Sequence, residues 1–359
     1  MHSGAEAFAA AFAAKKYALL RKLDPGAPTT LVTSVNGSNS VTCDRNQQCY
    51  APVFRAAAGG IAAAFSQLAT NWTDTNTNIM TISKIPFVEG RVSASQISPA
   101  GSVFAVSTDA EFRYFRGNGL PSTPMGVFPV QPSTAAYPYY AALPAGVDPS
   151  TGQSYQPNGT ADEIYIAPYN LTSAVPLKPV ATGYYQINAL IVGVTLTGAA
   201  WHVEAAADSN NNWFSPTNPL PMDQCFGHPY RNQYHYHGYS WRCFPPQGGG
   251  GGPLGSFPPF AAGLHSPLFG YALDGFGIYG PLDSDGKMIT NARLDRCHGH
   301  VGPVIWDGKV AEIYHYHLNR EFPFSVGCFR GKVNYYQALG SLDMRQTNLP
   351  LYYDGPYPP

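Results

Sequence analysis

One tetrapeptide occurs twice in the chain, as Tyr234-His235-Tyr236-His237 and as Tyr314-His315-Tyr316-His317. It constrains the local fold more than any other feature. Successive side chains on a β-strand point to opposite faces, so the histidines of each copy share one face and the tyrosines the other. Residues at i and i+2 of a strand lie about 7 Å apart, close enough for two imidazoles to converge on one ion. The tyrosine face is then free to pack into a core.

The flanks repeat as well. Gly227-His228 precedes the first copy and His298-Gly299-His300 the second. Cys225 and Cys243 bracket the first, Cys297 and Cys328 the second, and eight of the ten histidines fall between 228 and 317. The pattern describes a two-fold pseudo-repeat of a histidine strand inside a cysteine-bounded loop. Each repeat supplies three imidazoles: His228, His235 and His237 from the first, and His298 or His300 with His315 and His317 from the second. Three histidines with an open position form an exchangeable or catalytic metal site, and imidazole suits Zn, Cu, Ni or Fe. Copper or zinc is the expected cofactor. The opposing reading has these histidines hydrogen-bonding backbone and carboxylates around a polar core. Asp274 is a candidate ligand, or the carboxylate that orients one, against its plain role as first residue of an Asp-Gly turn. His265 ranks below the strand histidines, and His202 reads as an ordinary surface or core residue. Spacing leaves open whether the copies make one site or two.

Several stretches resemble the YHYH domain family. These are Asn118-Gly-Leu-Pro-Ser, Met125-Gly-Val-Phe-Pro, Tyr234-His-Tyr-His-Gly, the run from His265 to Pro281, Asp295-Arg-Cys-His-Gly-His, the second tetrapeptide, and Phe322-Pro-Phe through Gly327-Cys-Phe-Arg-Gly. The resemblance spans about 118–332. It implies a domain type and no particular reaction. One departure is the segment 302–312 before the second copy, which is longer than the short turn usual there.

Composition narrows the class. Charged residues make up only 12%, aromatics 13%, with 37 Gly and 33 Pro. This predicts a mainly β protein, sandwich- or barrel-like with Pro/Gly-rich loops, preceded by one or two N-terminal helices. A net charge of −1 without charged blocks favours neither nucleic acid nor an anionic membrane surface. No run of 18 apolar residues predicts a membrane-spanning helix. By proximity the six cysteines pair as Cys43–Cys49, Cys225–Cys243 and Cys297–Cys328, other connectivities being open. Without a Cys-x-x-Cys, a thiolate metal site ranks low. Sequons at Asn36, Asn71, Asn158 and Asn170 predict N-linked glycans and, with the disulfides, an extracellular or cell-surface glycoprotein. Residues 1–22 lack the charge-then-apolar order of a secretory leader, which predicts a start further upstream or another route of export.

In chain order, 1–72 reads as a helical and cysteine-loop segment, with helices at 4–23 and 53–70. Residues 73–222 read as a β-rich approach with strands at Ile79–Ile85, Arg91–Ile97, Val103–Ser107, Glu111–Arg116, Tyr184–Leu196 and Trp201–Ala206. Within it, 117–181 reads as an irregular excursion with a brief strand at Glu163–Ala167. The duplicated histidine region occupies 223–332, with a strand at Phe269–Leu273, and 333–359 is a Tyr/Pro-rich tail. No nucleophile elbow, zincin motif, dinucleotide fingerprint or phosphate loop is present. The leading expectation is an extracellular metal-binding domain. The second is a structural subunit of an extracellular filament or matrix, self-assembling through the N-terminal helix and C-terminal tail, its histidines architectural or holding a structural ion.

Overall fold

The computed structural model describes residues 87–138, 165–204, 222–240, 243 and 265–339, plus the backbone of three two-residue strand pairs. The helices expected at 4–23 and 53–70, the strand Ile79–Ile85 and the sequons at Asn36, Asn71 and Asn158 lie outside the described residues. So do the side chains of Cys43 and Cys49, although the strands Thr42–Cys43 and Cys49–Tyr50 set these two residues opposite each other.

The fold is mainly β. Eight strands form one sheet: β4 (Ile191–Thr195), β5 (Ala200–His202), β6 (Gly227–Tyr230), β7 (Gln233–Tyr236), β8 (Leu268–Ala272), β9 (Gly277–Tyr279), β10 (Gly299–Trp306) and β11 (Lys309–His317). Their spatial order is β6-β7-β5-β4-β8-β9-β11-β10. Each half is an inner hairpin beside an outer hairpin, with the histidine strand of the outer pair parallel to the inner one: β7 on β5, β11 on β9. The central pair, β4 and β8, is antiparallel.

This order is that of a pseudo-two-fold axis normal to the sheet, and the details obey it. Both inner hairpins shift register at the same place, between Ile191 and Gly193 and between Leu268 and Gly270. Leu196 N–H donates to Phe269 O, and Leu273 N–H donates to Val192 O. Gly193 and Gly270 sit at the crossing. A Cβ on Gly193 would stand 2.6 Å from Tyr271 O, and one on Gly270 would strike Val194 O, so both positions require glycine.

The outer hairpins differ in length but not in register at the site. His228 lies opposite His235 on β6–β7, and His300 opposite His315 on β10–β11. Arg231-Asn232 and Asp307-Gly308 close them, all four with positive φ, as a two-residue type I′ turn demands. The long segment 302–312 is thus a symmetric extension. It adds four residues to each arm and leaves the histidines in place.

A smaller sheet orders β1 (Phe104–Thr108), β2 (Phe112–Gly117) and β3 (Leu171–Pro176). It joins the large one through Phe115, whose ring lies 5.6 Å from Tyr271, and through Arg113, which bonds Asp307 at the tip of the long hairpin at 2.7 Å. β3 falls in the stretch expected to be irregular. Its buried positions alternate at Leu171, Ser173 and Val175, but the flanking prolines conceal the pattern. Tyr165–Ala167, by contrast, form no strand.

A further expectation is overturned. Arg91–Ile97 is not a strand: Ala94–Ile97 form a helical turn, α1, because Gln96 Oε1 accepts the Ser93 N–H at 2.9 Å, half of a Ser-x-x-Gln capping box. The tail begins with a second short helix, α2 (Tyr335–Leu339). It buries Ala338 and Leu339 against β3, where Ser173 Oγ donates to Ala338 O.

Candidate metal centres

A motif longer than the tetrapeptide builds each site. Asp223-Gln-Cys-Phe-Gly-His228 and Asp295-Arg-Cys-His-Gly-His300 adopt the same turn. The Asp223 carboxylate accepts N–H groups from Cys225 and Gly227, and Asp295 does the same for Cys297 and Gly299. Tyr234 donates to Asp223 at 2.7 Å, and Tyr314 to Asp295 at 2.9 Å. These carboxylates tie the tyrosine face of each histidine strand to the turn that launches the other arm. The cysteines in the two turns form the disulfides Cys225–Cys243 and Cys297–Cys328.

On the opposite face the imidazoles converge. In the first half, His237 Nε2 lies 3.2 Å from His228 Nε2 and 3.0 Å from His235 Nε2. In the second, His317 Nε2 lies 3.2 Å from His300 Nε2 and 3.0 Å from His315 Nε2. The ligand sets are disjoint. The histidine strands are also five positions apart in the sheet, about 24 Å at the usual strand spacing. There are two clusters, not one.

The partners of the outer ring nitrogens decide what the inner ones offer. His315 Nδ1 is 3.0 Å from Ile313 O, His317 Nδ1 2.6 Å from Gly280 O, and His265 Nδ1 2.7 Å from Ser266 O. A carbonyl only accepts, so each Nδ1 carries the proton and each Nε2 of the neutral ring presents a lone pair. Yet His315 Nε2 approaches His317 Nε2 at 3.0 Å and His265 Nε2 at 3.1 Å. Lone pairs held against each other repel unless a cation lies between them. In the first cluster His235 Nδ1 is held by Gln233 O at 3.1 Å, and His237 Nδ1 lies 3.3 Å from Glu204 Oε2 without a hydrogen bond between them. Metal–nitrogen bonds of 2.0–2.1 Å in a tetrahedron give nitrogen–nitrogen edges of about 3.3 Å, close to the His265–His315 and His315–His317 separations of 3.1 and 3.0 Å and to the His235–His237 separation of 3.0 Å.

Burial keeps the rings neutral. It lowers His202, His228 and His235, with the neighbouring imidazoles adding to the effect. It holds His315 down at about 3, and it also depresses His317, His265 and His300. A neutral imidazole is the metal-binding form.

The fourth imidazole differs between the halves. In the first it is His202 of β5, stacked on His235 with ring centroids 3.6 Å apart, its buried Nε2 without a hydrogen-bond partner among the described residues. The counterpart position on β9 is Tyr279. In the second it is His265, just before β8, where the first half has Asn188. Three-residue groups with metal-ligand geometry are His202/His235/His237, His265/His315/His317 and Asp283/His300/His317.

Of the residues singled out in the sequence, His235 and His237 group with His202, His315 and His317 group with His265, and His300 groups with His317 and Asp283, whereas His228 touches His237 but belongs to no three-ligand group. His298 and Asp274 sit elsewhere. His298 occupies a turn at φ 71°, its Nδ1 2.7 Å from His317 O and its Nε2 2.8 Å from Asn291 Oδ1. Asp274 lies on the tyrosine side, accepting from Tyr316. Sequence reading passed over His202, Glu204 and Asp283 and ranked His265 low. Trp201-His202-Val203-Glu204 did carry a signal, since His202 and Glu204 are two residues apart and share a face. Asn170, the one sequon described, is exposed beside β3.

The fold and the site define a class: a β-sheet domain with duplicated imidazole clusters. Residues 172–287 match the family model described as YHYH protein, in agreement with the resemblance read from the sequence. The match takes in the first histidine strand and His265, and ends before β10 and β11. No match was found among curated proteins or among solved structures.

Proposed function

We propose that the chain is an extracellular metal-binding glycoprotein whose YHYH region holds two ions of the copper or zinc type, one per imidazole cluster. The observation that carries this is the convergence of the His265, His315 and His317 Nε2 atoms, with neighbouring separations of 3.0–3.1 Å, while the Nδ1 of each faces a backbone carbonyl, and the 3.0 Å approach of His235 and His237 Nε2 in the other cluster. Nitrogen-only donor sets favour Cu and Zn over Mg and Ca. Two disulfides support an oxidising compartment, and Asn170 offers an exposed acceptor for glycan. Among the described residues no helix is long and apolar enough to cross a membrane.

Elemental analysis of natively purified protein tests the reading, beside the double variants His235→Ala/His237→Ala and His315→Ala/His317→Ala. Two ions per chain are expected in the parent and one in each variant. A folded native sample without transition metal sinks the proposal and leaves the histidines architectural, one of the two forms of the filament or matrix reading.

A further inference from the structure

The pseudo-two-fold axis makes the inner triads alike. The Nε2 separations are 3.2 and 3.0 Å in both, and the ring centroids of His228–His235 and His300–His315 stand 4.6 and 4.7 Å apart. Any difference in behaviour must come from what surrounds them, and the surroundings are unlike in three respects.

The first is the fourth imidazole. His202 comes from within the sheet and is 4% exposed, whereas His265 stands at the mouth of its cluster and is partly open to solvent. The second is the count of partly exposed rings: His228 alone in the first cluster, His265 and His300 in the second. The third is the carboxylate. Glu204 is 1% exposed and lies behind His237, against its Nδ1. There it compensates the charge of an ion without touching it. In the second half the equivalent nitrogen, His317 Nδ1, has only the neutral carbonyl of Gly280. The carboxylate there is Asp283, on the ligand side, 3.8 Å from His300 Nε2 and drawn away by Arg293, whose side chain is 42% exposed.

An ion leaves a protein as water or another small donor replaces its ligands one at a time, beginning with those that solvent reaches. We infer that the duplicated sites have divided their roles: the His202/His228/His235/His237 cluster retains its ion, while the His265/His300/His315/His317 cluster exchanges its ion with solvent and admits small oxygen or nitrogen donors. This rests on the metal-binding reading above and adds the inequality of the two sites.

The test uses the full chain loaded with Zn²⁺ and challenged with an excess of a chromogenic zinc chelator, whose absorbance follows zinc release. Two ions are expected to leave in two phases whose rates differ at least tenfold. His265→Gln should accelerate or abolish only the fast phase, and His202→Gln only the slow one. Mass-spectrometric exchange of the histidine C2 hydrogens in the unmutated chain assigns the phases even where a variant fails to fold. After a short pulse of the chelator, His265, His300, His315 and His317 should lose protection while His228, His235 and His237 keep it. Two ions leaving at one rate, or the fast phase mapping to the first cluster, overturns the inference and leaves metal binding intact. No bound zinc at all overturns both.

Discussion

Tyr316 Oη donates to Asp274 Oδ2 across 2.6 Å, on the face of β11 opposite His315 and His317. The same carboxylate oxygen accepts the backbone N–H groups of Arg330 and Gly331, each at 3.0 Å. Asp274 therefore fastens the segment after Cys328 to the back of the histidine strand. In the first half Thr197 occupies its position and bonds Tyr236 at 3.2 Å.

Asp274→Ala should leave two buried donors, the Tyr316 hydroxyl and the Gly331 N–H, without their acceptor, while Arg330 N–H keeps Tyr316 Oη at 3.0 Å. The cost of such orphaned groups is about 1–3 kcal/mol each before relaxation, so a loss of roughly 2–4 kcal/mol in unfolding free energy is expected. Zinc stoichiometry at saturation should stay at the parent value, because the carboxylate lies on the wrong face to be a ligand. Denaturant unfolding and elemental analysis of the same sample check both. A lost ion in a folded variant would contradict this placement.

The long outer hairpin permits a test of register. Removing Ile305-Trp306 and Lys309-Val310 together shortens both arms by two residues and keeps His300 opposite His315. Metal stoichiometry should survive, although stability should drop, because Tyr279 loses its acceptor Ile305 O and Trp306 its contact with Tyr271. Deleting Val310 alone mismatches the arms. A one-residue slip turns side chains to the other face, so either the turn absorbs the defect as a bulge or the second cluster is lost. Retention in the paired deletion with loss in the single one is the expected outcome, read by metal analysis.

Acid should destabilise the metal-free chain. Burial holds His298 down at about 4 and His315 at about 3, so between those values and the ordinary imidazole range the folded chain binds fewer protons than the unfolded one. The stability these groups contribute is therefore fully present above about pH 6.5 and is lost as pH falls below it. For His298 the full swing is about 3 kcal/mol, at 1.36 kcal/mol per tenfold change in proton affinity. Asp223 and Asp274 oppose this. Burial pushes both carboxyls up to about 6 despite their hydrogen bonds, so their contribution falls as pH rises through the same window. His202, His228, His235, His265, His300 and His317 are also depressed, so the imidazoles prevail. Unfolding free energy in EDTA should decline from pH 7 to pH 5. A rise on acidification would mean that the carboxyls dominate.

The alternation of Tyr and His was legible because the strand period of two is local: it needs no knowledge of neighbours. The same locality exposed the two cysteine pairs that close the domain, and the bland composition of the loops pointed to β structure. The fourth imidazoles were not legible. His202 and His265 reach their clusters through strand pairing, β5 beside β7 and the approach to β8 beside β9, and such pairing leaves no periodic mark in the chain. Nor could spacing reveal that Asp274 faces away, since its direction depends on the turn at Gly275, with φ 94°, and on the Tyr316 hydroxyl. His298 looked like a ligand for the same reason. Its first-half counterpart, Phe226, occupies the same positive-φ turn with no imidazole at all.

Glu204 offers the sharpest test of the first cluster. It is buried, its Oε2 stands 3.3 Å from His237 Nδ1, and His237 alone approaches both His228 and His235 within 3.2 Å. A buried carboxylate at that distance compensates the charge of an ion held at the other ring nitrogen without forming a hydrogen bond to the ring. Replacing such a partner typically lowers metal affinity 10–100-fold. Glu204→Gln keeps the shape and an acceptor oxygen but removes the charge. Zinc affinity at the first cluster should fall by about that factor, roughly 1.4–2.7 kcal/mol, and the second cluster should be unaffected. Competition with a chelator of known affinity measures the two sites separately. An unchanged first site would mean that the carboxylate serves packing and not the ligand it faces. A fall at both sites would mean that the substitution acts through the sheet as a whole.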